Sequence, residues 1–184
     1  MILKIYKPNS KNTGHAFNFS IGSDQKTEEP VVFMGAIKQS GWDNTKKTGD
    51  FKNNAKNPEK STTVKLGEFE CGEIISSLKN RHEWGNFHDF AENKTTIKFT
   101  PWDKPRTIKF KNPKTNKYEE KKITVPAFGI SISRTNDKGS QYYQLPLEPG
   151  EAEALKVFLN LALRKTYEHR IEKFNSYNKE HRGA

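Results

Sequence analysis

The chain has 184 residues, which is enough for one domain with a sizeable core and short for two. Its 32 lysines and arginines exceed its 22 acidic residues, and the formal net charge of +10 favours a polyanionic partner. A surface rich in lysine through codon bias is the alternative explanation of this charge. One cysteine, Cys71, and five scattered histidines exclude a disulfide framework and predict neither a metal site nor a cofactor.

No apolar run in the sequence is long enough for a signal peptide or a membrane span. We therefore expect a reducing, cytoplasmic location and no membrane partner. The compact chain, rich in lysine and asparagine, would suit a phage or a bacterium with an AT-rich genome.

Alternating apolar and polar residues predict four strands in the first part of the chain, at residues 2–6, 15–21, 31–38 and 62–66. Residues 43–60 carry Asn, Lys, Gly and Pro with one aromatic side chain, Phe51, and predict a long mobile loop. The period changes after Gly67, where Ile74, Ile75 and Leu78 have helical spacing and acidic residues occupy the first turns. A helix is therefore predicted to follow the fourth strand.

The second part of the chain repeats this order. Strands are predicted at residues 95–102, 106–111, 123–134 and 142–147. Pro149 begins a helix at a position where its missing N–H costs little. This helix is apolar nearly all round, which predicts a subunit interface at Leu155, Phe158 and Leu161. Residues 1–163 are predicted to form one α+β domain, and residues 164–184 a charged helical extension or tail.

Three blocks of sequence are similar to segments of the Whirly family of single-stranded-DNA-binding proteins. Residues 63–78 resemble that family's strand entering a helix that contains Glu-x-Gly, and residues 86–89 resemble its Phe-His-Asp block. Residues 143–155 resemble its last strand entering the final helix. The blocks occur in the family's order, and residues 31–41 followed by Trp42 also fit its second strand.

The resemblance implies two four-stranded antiparallel sheets packed crosswise with two helices, a homotetramer, and binding of single-stranded nucleic acid. It also implies that the Phe-His-Asp block is structural, with the Phe87 side chain inside the protein and the hydrogen bonds of His88 satisfied by nearby groups. Guide-RNA-binding proteins of kinetoplastids and positive-cofactor coactivators share this kind of architecture, so RNA stays open. One motif departs from the family: residues 13–18 keep Gly14 and Ala16 but lack the two lysines of its Lys-Gly-Lys-Ala-Ala-Leu motif.

Single-strand binding requires cations that follow the backbone and flat side chains on which unpaired bases stack. Strand alternation predicts one sheet surface that displays both kinds of side chain. The predicted contact residues are Lys4, Tyr6, Lys11, Asn18, Lys38, Trp42, Lys98, Trp102, Lys109, Lys111 and Tyr142. Residues 94–122 hold nine lysines and one arginine against three acidic residues, a local charge of +7, with a mobile tip predicted at residues 112–117. Ordinary amphipathic strands with solvated lysines are the alternative.

The predicted function is sequence-tolerant binding of single-stranded DNA in replication, recombination or repair. Single-stranded RNA binding or transcription regulation on the same fold is one alternative, and a basic structural protein without strand preference is another. An enzyme would have to use His82, His88, Asp89 and Asp103, whose pattern specifies no site, so no catalysis is expected.

Overall fold

A computed structural model describes residues 1–137 and 139–182, and it has an α+β fold made of two repeats of four strands and a helix. In spatial order, the strands of the first sheet are β1 (Ile2–Lys7), β2 (His15–Ser23), β3 (Pro30–Lys38) and β6 (Ser61–Leu66), all antiparallel. The alternation of the sequence places Phe17, Phe19 and Met34 on the inner face, where they are fully buried.

The second sheet consists of β10 (Gly139–Leu147), β9 (Tyr118–Asn136), β8 (Asn93–Lys111) and β7 (Trp84–Phe90), in that spatial order. All neighbours are antiparallel. Its inner face carries Ile97, Phe99, Ile130, Ile132 and Leu147. The α+β class and both four-stranded antiparallel sheets are confirmed, whereas the crosswise packing of the sheets stays a prediction.

The strands of the second repeat differ from the predicted ones in two ways. β7 lies at residues predicted to be a structural block, and its pattern is inverted: Phe87 points outward, whereas His88 points inward, 2.6 Å from the Glu70 carboxylate. The expectation that Phe87 is inside was wrong.

The segments 95–102 and 106–111 are one strand, since β8 continues through Pro101 and Pro105. Both prolines lie beyond Phe99, the last β8 residue paired with β7, where the free edge tolerates a missing N–H.

Residues 43–60, predicted to be a loop, contain regular structure. β4 (Gly41–Asp43) and β5 (Thr48–Asp50) form a hairpin, and a 3-10 turn follows at Lys52–Asn54. Phe51 is buried beside it, and Asn54 donates its amide N–H groups to the carbonyls of Lys38 and Gln39. This β4–β5 hairpin is a third, two-stranded sheet that the predicted plan did not contain.

The two helices begin with carboxylates that accept backbone N–H groups. α1 (Glu68–Asn80) begins after Gly67, whose N–H donates to Glu70 at 2.7 Å. α2 (Pro149–Arg182) follows β10, and Glu151 accepts the N–H of Glu148 at 2.8 Å. Neither helix, within the described residues, has a stretch long and apolar enough to cross a membrane.

One core joins the inner faces of both sheets and both helices. Leu155 and Phe158 on α2 lie inside it, and the centroids of the Phe158 and Phe19 rings are 6.4 Å apart. These two residues were predicted at a subunit interface, but the chain's own core buries them. Leu161 is half-buried. The apolar circumference of α2 is therefore used largely within one chain.

The predicted C-terminal extension is the continuation of α2, of which the structure describes residues 164–182. Thr166 donates its hydroxyl to the carbonyl of Pro30, and Arg170 forms ion pairs with Glu29 and Glu68. These contacts attach the second half of the helix to the β2–β3 turn and to the start of α1. The last two residues of the predicted extension lie outside the described part.

Candidate nucleic-acid interface

The outer face of the second sheet displays exposed aromatic side chains on β7, β8 and β10. Phe87 on β7 is 55% exposed, Trp102 on β8 is 39% exposed and Tyr142 on β10 is 50% exposed. Strand register places Phe87 opposite Thr96, and Ser133 on the next strand opposite both Thr96 and Tyr142. Because directly opposed residues share a face of a sheet, all three aromatics point to the same side.

Small residues separate these aromatics. Gly129, Ser131 and Ser133 on β9 occupy the middle of the outer face between the larger side chains of β8 and β10. With strands about 4.8 Å apart, Phe87 and Tyr142 stand about 14 Å from each other across the sheet. The aromatics are therefore separate platforms around a shallow trough.

The trough deepens into a cleft of about 630 Å³ beside the β1–β2 turn, which we call the second-sheet cleft. Trp102, Tyr142 and Gln144 line it from the sheet, and Asn9 and Thr13 line it from the turn. Lys11 lies between those two turn residues, and its side chain is exposed. The structure thus brings Trp102 and Tyr142, two of the predicted contact residues, to one cleft, and Lys11 is exposed on the turn beside it.

The cations around the second-sheet cleft differ in how far they are neutralised. Lys7 lies 2.6 Å from Glu151, and Lys104 is paired with Glu148, whose pKa is lowered by Lys104 and then by Lys7. Lys98, opposite Ser131 on the outer face, has no ion pair within the described residues. Lys98 is therefore available to a phosphate, whereas Lys7 and Lys104 are already engaged.

The outer face of the first sheet holds a second group of predicted contact residues. Lys4 and Asn18 lie opposite each other, and Tyr6 lies two residues along β1 on the same face. All three line a cleft of about 650 Å³ between this face and the β4–β5 hairpin, which we call the hairpin cleft. The centroids of the Tyr6 and Phe51 rings are 5.7 Å apart there.

One buried side chain fixes the relation between the two clefts. The Gln39 carbonyl oxygen accepts the N–H groups of Asn9 and Gly14, and its amide donates to the carbonyls of Asn9 and Gly41. A Cβ on Gly14 would lie 2.4 Å from the Gln39 oxygen, so only glycine fits this close approach. Gln39 therefore joins the β1–β2 turn to β4. Lys7, which precedes Pro8, lines one cleft, and Pro8 lines the other.

Lys38 was predicted to leave the core side of β3, and this orientation was wrong. Lys38 is opposite His15 and shares the inner side with Ala36 and Met34. Its ammonium lies 5.5 Å from the centre of the buried Tyr143 ring. Burial, and then the charge of Lys38, lower the pKa of His15, and burial raises the pKa of Tyr143 to about 12. Lys38 belongs to the contact between the sheets.

Three other predicted residues lie apart from both clefts. Trp42 on β4 is half-buried, and its indole nitrogen is buried with no hydrogen-bond partner among the residues that the structure describes. Lys109 and Lys111 lie on the two-stranded β8–β9 arm, residues 102–111 and 118–127, which extends past β7 and β10. Because β8 is continuous, both lysines point to the face opposite Lys98 and Trp102. The predicted residues thus occupy several surfaces rather than one.

Sequence reasoning missed Phe87 and Arg106 as candidate contact residues. Phe87 follows an inverted pattern in which the polar residues of β7 face α1, and Asn86 donates to Glu70 at 2.7 Å. Only the pairing of β7 with β8 reveals it. Arg106 shares the face of Trp102 on the arm, as its even spacing along one continuous strand would have indicated.

No cluster of three or more His, Cys, Asp or Glu side chains suited to a metal ion occurs in residues 1–137 and 139–182. Of the residues considered for catalysis, His88 is bound to Glu70 and Asp103 accepts a hydrogen bond from Arg81 at 2.8 Å. Hydrogen bonds from Gly67, His88 and Asn86 outweigh burial and lower the pKa of Glu70. This polar cluster links α1 to β7.

No protein-family profile and no curated protein matches the sequence. Solved structures do match. WHY1 from Arabidopsis thaliana is 12% identical in sequence and superposes with a TM-score of 0.60. The match covers 98% of this chain and 93% of the WHY1 chain. The plant transcriptional regulator PBF-2 is 16% identical with a TM-score of 0.56, and the match covers 98% of this chain and 88% of the PBF-2 chain. A guide-RNA-binding protein complex bound to guide RNA is 15% identical with a TM-score of 0.52, covering 89% of each chain. The chain therefore has the Whirly-like fold that its three sequence blocks predicted.

Proposed function

We propose that this protein binds single-stranded nucleic acid, DNA before RNA, through the outer face of its second sheet, and that it is a binding protein rather than an enzyme. The observation that carries the proposal is the grouping of Phe87, Trp102 and Tyr142 on one open face with Lys98, which has no ion pair among the described residues. Aromatic platforms stack bases of any sequence, and lysines hold the backbone between them. Duplex DNA offers no unstacked bases to such a face.

The test is competition for a labelled single-stranded oligonucleotide. Unlabelled single-stranded DNA, duplex DNA of the same sequence and single-stranded RNA are compared at two salt concentrations. We expect single-stranded DNA to compete best, and affinity to fall linearly on a log–log salt plot. Equal competition by duplex and single strand at physiological salt would instead support a basic protein without strand preference.

RNA is the second candidate ligand. The fold is shared with a guide-RNA-binding complex as well as with plant Whirly proteins, and stacking on aromatics serves RNA equally. A transcription-regulating role, as the name of PBF-2 states for that protein, belongs to this alternative. Tighter binding of RNA than of DNA of matched sequence would favour it.

We also propose an assembly and a setting. Leu155 and Phe158 lie in the core, but α2 also carries exposed side chains with large apolar surfaces, which support a homo-oligomer, with a tetramer favoured: Val157, Tyr167, Ile171 and Phe174. Sequence-tolerant binding suits replication, recombination or repair. The composition supports a cytoplasmic location in a bacterial or phage-infected cell.

A further inference from the structure

The β8–β9 arm has two free edges, and prolines block the edge that belongs to β8. At the tip of the arm, Asn112 donates its backbone N–H to the Lys117 carbonyl at 2.9 Å. Because hydrogen-bonded and non-hydrogen-bonded pairs alternate along an antiparallel ladder, the odd-numbered residues of β8 turn their backbone groups away from β9. Pro101 and Pro105 are two of these residues and have no N–H to donate. The β8 edge is therefore unsuited to pairing with another strand.

The β9 edge of the arm is open. The same alternation turns the backbone N–H and C=O groups of its even-numbered residues outward, and these residues are exposed: Tyr118, Glu120, Lys122 and Thr124. β10 covers this edge only as far as Phe128, which lies opposite Leu147. No hydrogen bond joins the outward groups to another described residue. Pro126 ends the open run, which is long enough to accept one extended strand.

The side chains along this open edge are complementary to a second copy of themselves. If a second β9 strand lies antiparallel with Tyr118 opposite the partner's Thr124, then Glu120 falls opposite the partner's Lys122. Symmetry forms each of these pairs twice, and all the outward residues are used, with roughly eight backbone hydrogen bonds. Shifting the strands by two residues in either direction loses some of these bonds. It also places Glu120 or Lys122 opposite its own copy, which is unfavourable.

The arm has a physical reason to take such a partner. A two-stranded ribbon is marginally stable by itself, and Ile108, Ile123 and Val125 on one face of the arm are only half-buried. Two arms joined edge to edge make a sheet of about four strands, which meets the usual requirement for independent stability. Charged side chains on an edge discourage pairing with arbitrary strands. The order of opposite charges therefore restricts the partner to a matching sequence.

We propose that the β9 edges of two copies of this chain pair antiparallel about a twofold axis at Lys121, so that two β8–β9 arms form one sheet between subunits. On the axis Lys121 lies opposite its own copy, and the partner's Glu119 is diagonal to it. This contact is separate from the exposed apolar side chains of α2. It does not rest on the proposed function, because Glu120 and Lys122 face away from Trp102.

Disulfide trapping with oxidised glutathione tests the pairing at its axis. Opposed residues of a non-hydrogen-bonded pair have Cα atoms about 4.5 Å apart, within the range of a disulfide. Lys121→Cys should therefore give about five-fold more disulfide dimer, or better, than Lys114→Cys at the exposed tip of the arm. Position 120 is offset from its own copy, so Glu120→Cys should stay near the Lys114→Cys level. The native Cys71 is buried and does not compete.

Charge reversal within the Lys121→Cys protein tests the register. Glu120→Lys and Lys122→Glu each place like charges opposite one another, and each should lower the dimer yield about five-fold or more. An equimolar mixture of the two variants restores opposite charges in both pairs, so the yield should recover, whereas mixing cannot repair a misfolded chain. Equal yields from Lys121→Cys and Lys114→Cys would overturn the arm contact. Single reversals without effect, or a mixture that fails to recover, would overturn it as well.

Discussion

At the scale of single residues, the three tryptophans have three different environments. Trp84 is buried against Phe99 and donates its indole N–H to Glu73 at 2.7 Å. Trp42 is half-buried in the β4–β5 hairpin. Trp102 lines the second-sheet cleft with more than a third of its surface exposed. Only Trp102 combines an open ring with a cleft, so it is the tryptophan that we expect to stack on a base.

Trp102→Ala should weaken binding of single-stranded DNA by about 1–3 kcal/mol, the usual contribution of one stacked base. The salt slope should not change, because stacking releases few counterions. Fluorescence anisotropy with a labelled oligonucleotide at three salt concentrations measures both quantities. Trp84→Phe is the control, and it should lower the melting temperature but not the affinity. Normal binding by a Trp102→Ala protein that melts early would show that this ring is structural.

Lys98→Ala should flatten the log–log dependence of affinity on salt by about 0.7, the value for one phosphate contact on a single strand. Lys109→Ala should flatten it less, because Lys109 faces the other side of the arm and lies 3.2 Å from Glu120. Lys165→Ala removes the same charge from α2 and should leave the slope unchanged. Identical slopes for all three variants would mean that the protein's overall charge, not the outer face, attracts the strand.

At the scale of elements, Arg170 supplies the ion pairs that help to attach the second half of α2. Arg170 bonds both oxygens of Glu29, at 3.1 and 2.9 Å, and approaches Glu68 to 2.7 Å. The hydrogen bond from Arg170 is the main cause that lowers the pKa of Glu29 below its usual 4.5. The ion-paired part of the attachment therefore depends on Glu29 being ionised.

Acid should loosen the end of α2 for this reason. A carboxyl group whose pKa is lower in the folded than in the unfolded protein stabilises the fold at any pH above the unfolded pKa. This stabilisation is lost as the pH falls through the folded pKa. We expect hydrogen-exchange protection factors of residues 171–182 to drop between pH 5 and 3 in the wild type. Arg170→Met should lower them already at pH 7 and reduce the later drop. Arg164→Met, which breaks only a pair with Glu168 inside the helix, should behave as the wild type does.

The elements also show where sequence reasoning succeeds. The first sheet and α1 follow from strict alternation and from helical spacing, because their apolar residues face one core. β7 was not predictable in this way, since Asn86 and His88 point inward to Glu70 and Phe87 points outward. β8 was divided at residues 103–105, which include Pro105, a residue type that ends most strands but is tolerated at a free edge.

At the scale of the whole molecule, the helices leave apolar surface uncovered. Ile171 is 59% exposed and Phe174 is 64% exposed on the second half of α2, and Phe69 is exposed on α1. Exposed apolar side chains of this size on a small protein are typical of an interface between subunits.

Light scattering should give a mass near four times 21.2 kDa, and Ile171→Asp should lower it without unfolding the chain. Leu155→Ala is the contrasting variant. It should cost about 2–5 kcal/mol of stability through a core cavity, because Leu155 is fully buried. Dissociation should weaken binding of long oligonucleotides more than short ones, since linked sites act at high effective concentration. A wild-type protein that is monomeric and binds long oligonucleotides with full affinity would contradict the proposed oligomer.

The candidate site was predictable only in part, because its residues come from separate surfaces. Lys98, Trp102 and Tyr142 share a face for reasons visible in the alternation of β8 and β10. The β1–β2 turn that faces Trp102 and Tyr142 is held by Gln39, whose hydrogen bonds join segments distant in sequence. No periodicity encodes such a contact, and for the same reason the inward position of Lys38 was missed.

The most direct test of the binding face is photochemical crosslinking. A single-stranded oligonucleotide carrying 5-iododeoxyuridine is irradiated with the protein, and the crosslinked peptides are identified by mass spectrometry. The protein carries its own controls, because Tyr167, Phe174 and Tyr177 on α2 are also exposed aromatics. We predict crosslinks at Phe87, Trp102 or Tyr142. Crosslinks confined to the aromatics of α2 would contradict the assignment of the second sheet as the surface that binds single-stranded nucleic acid.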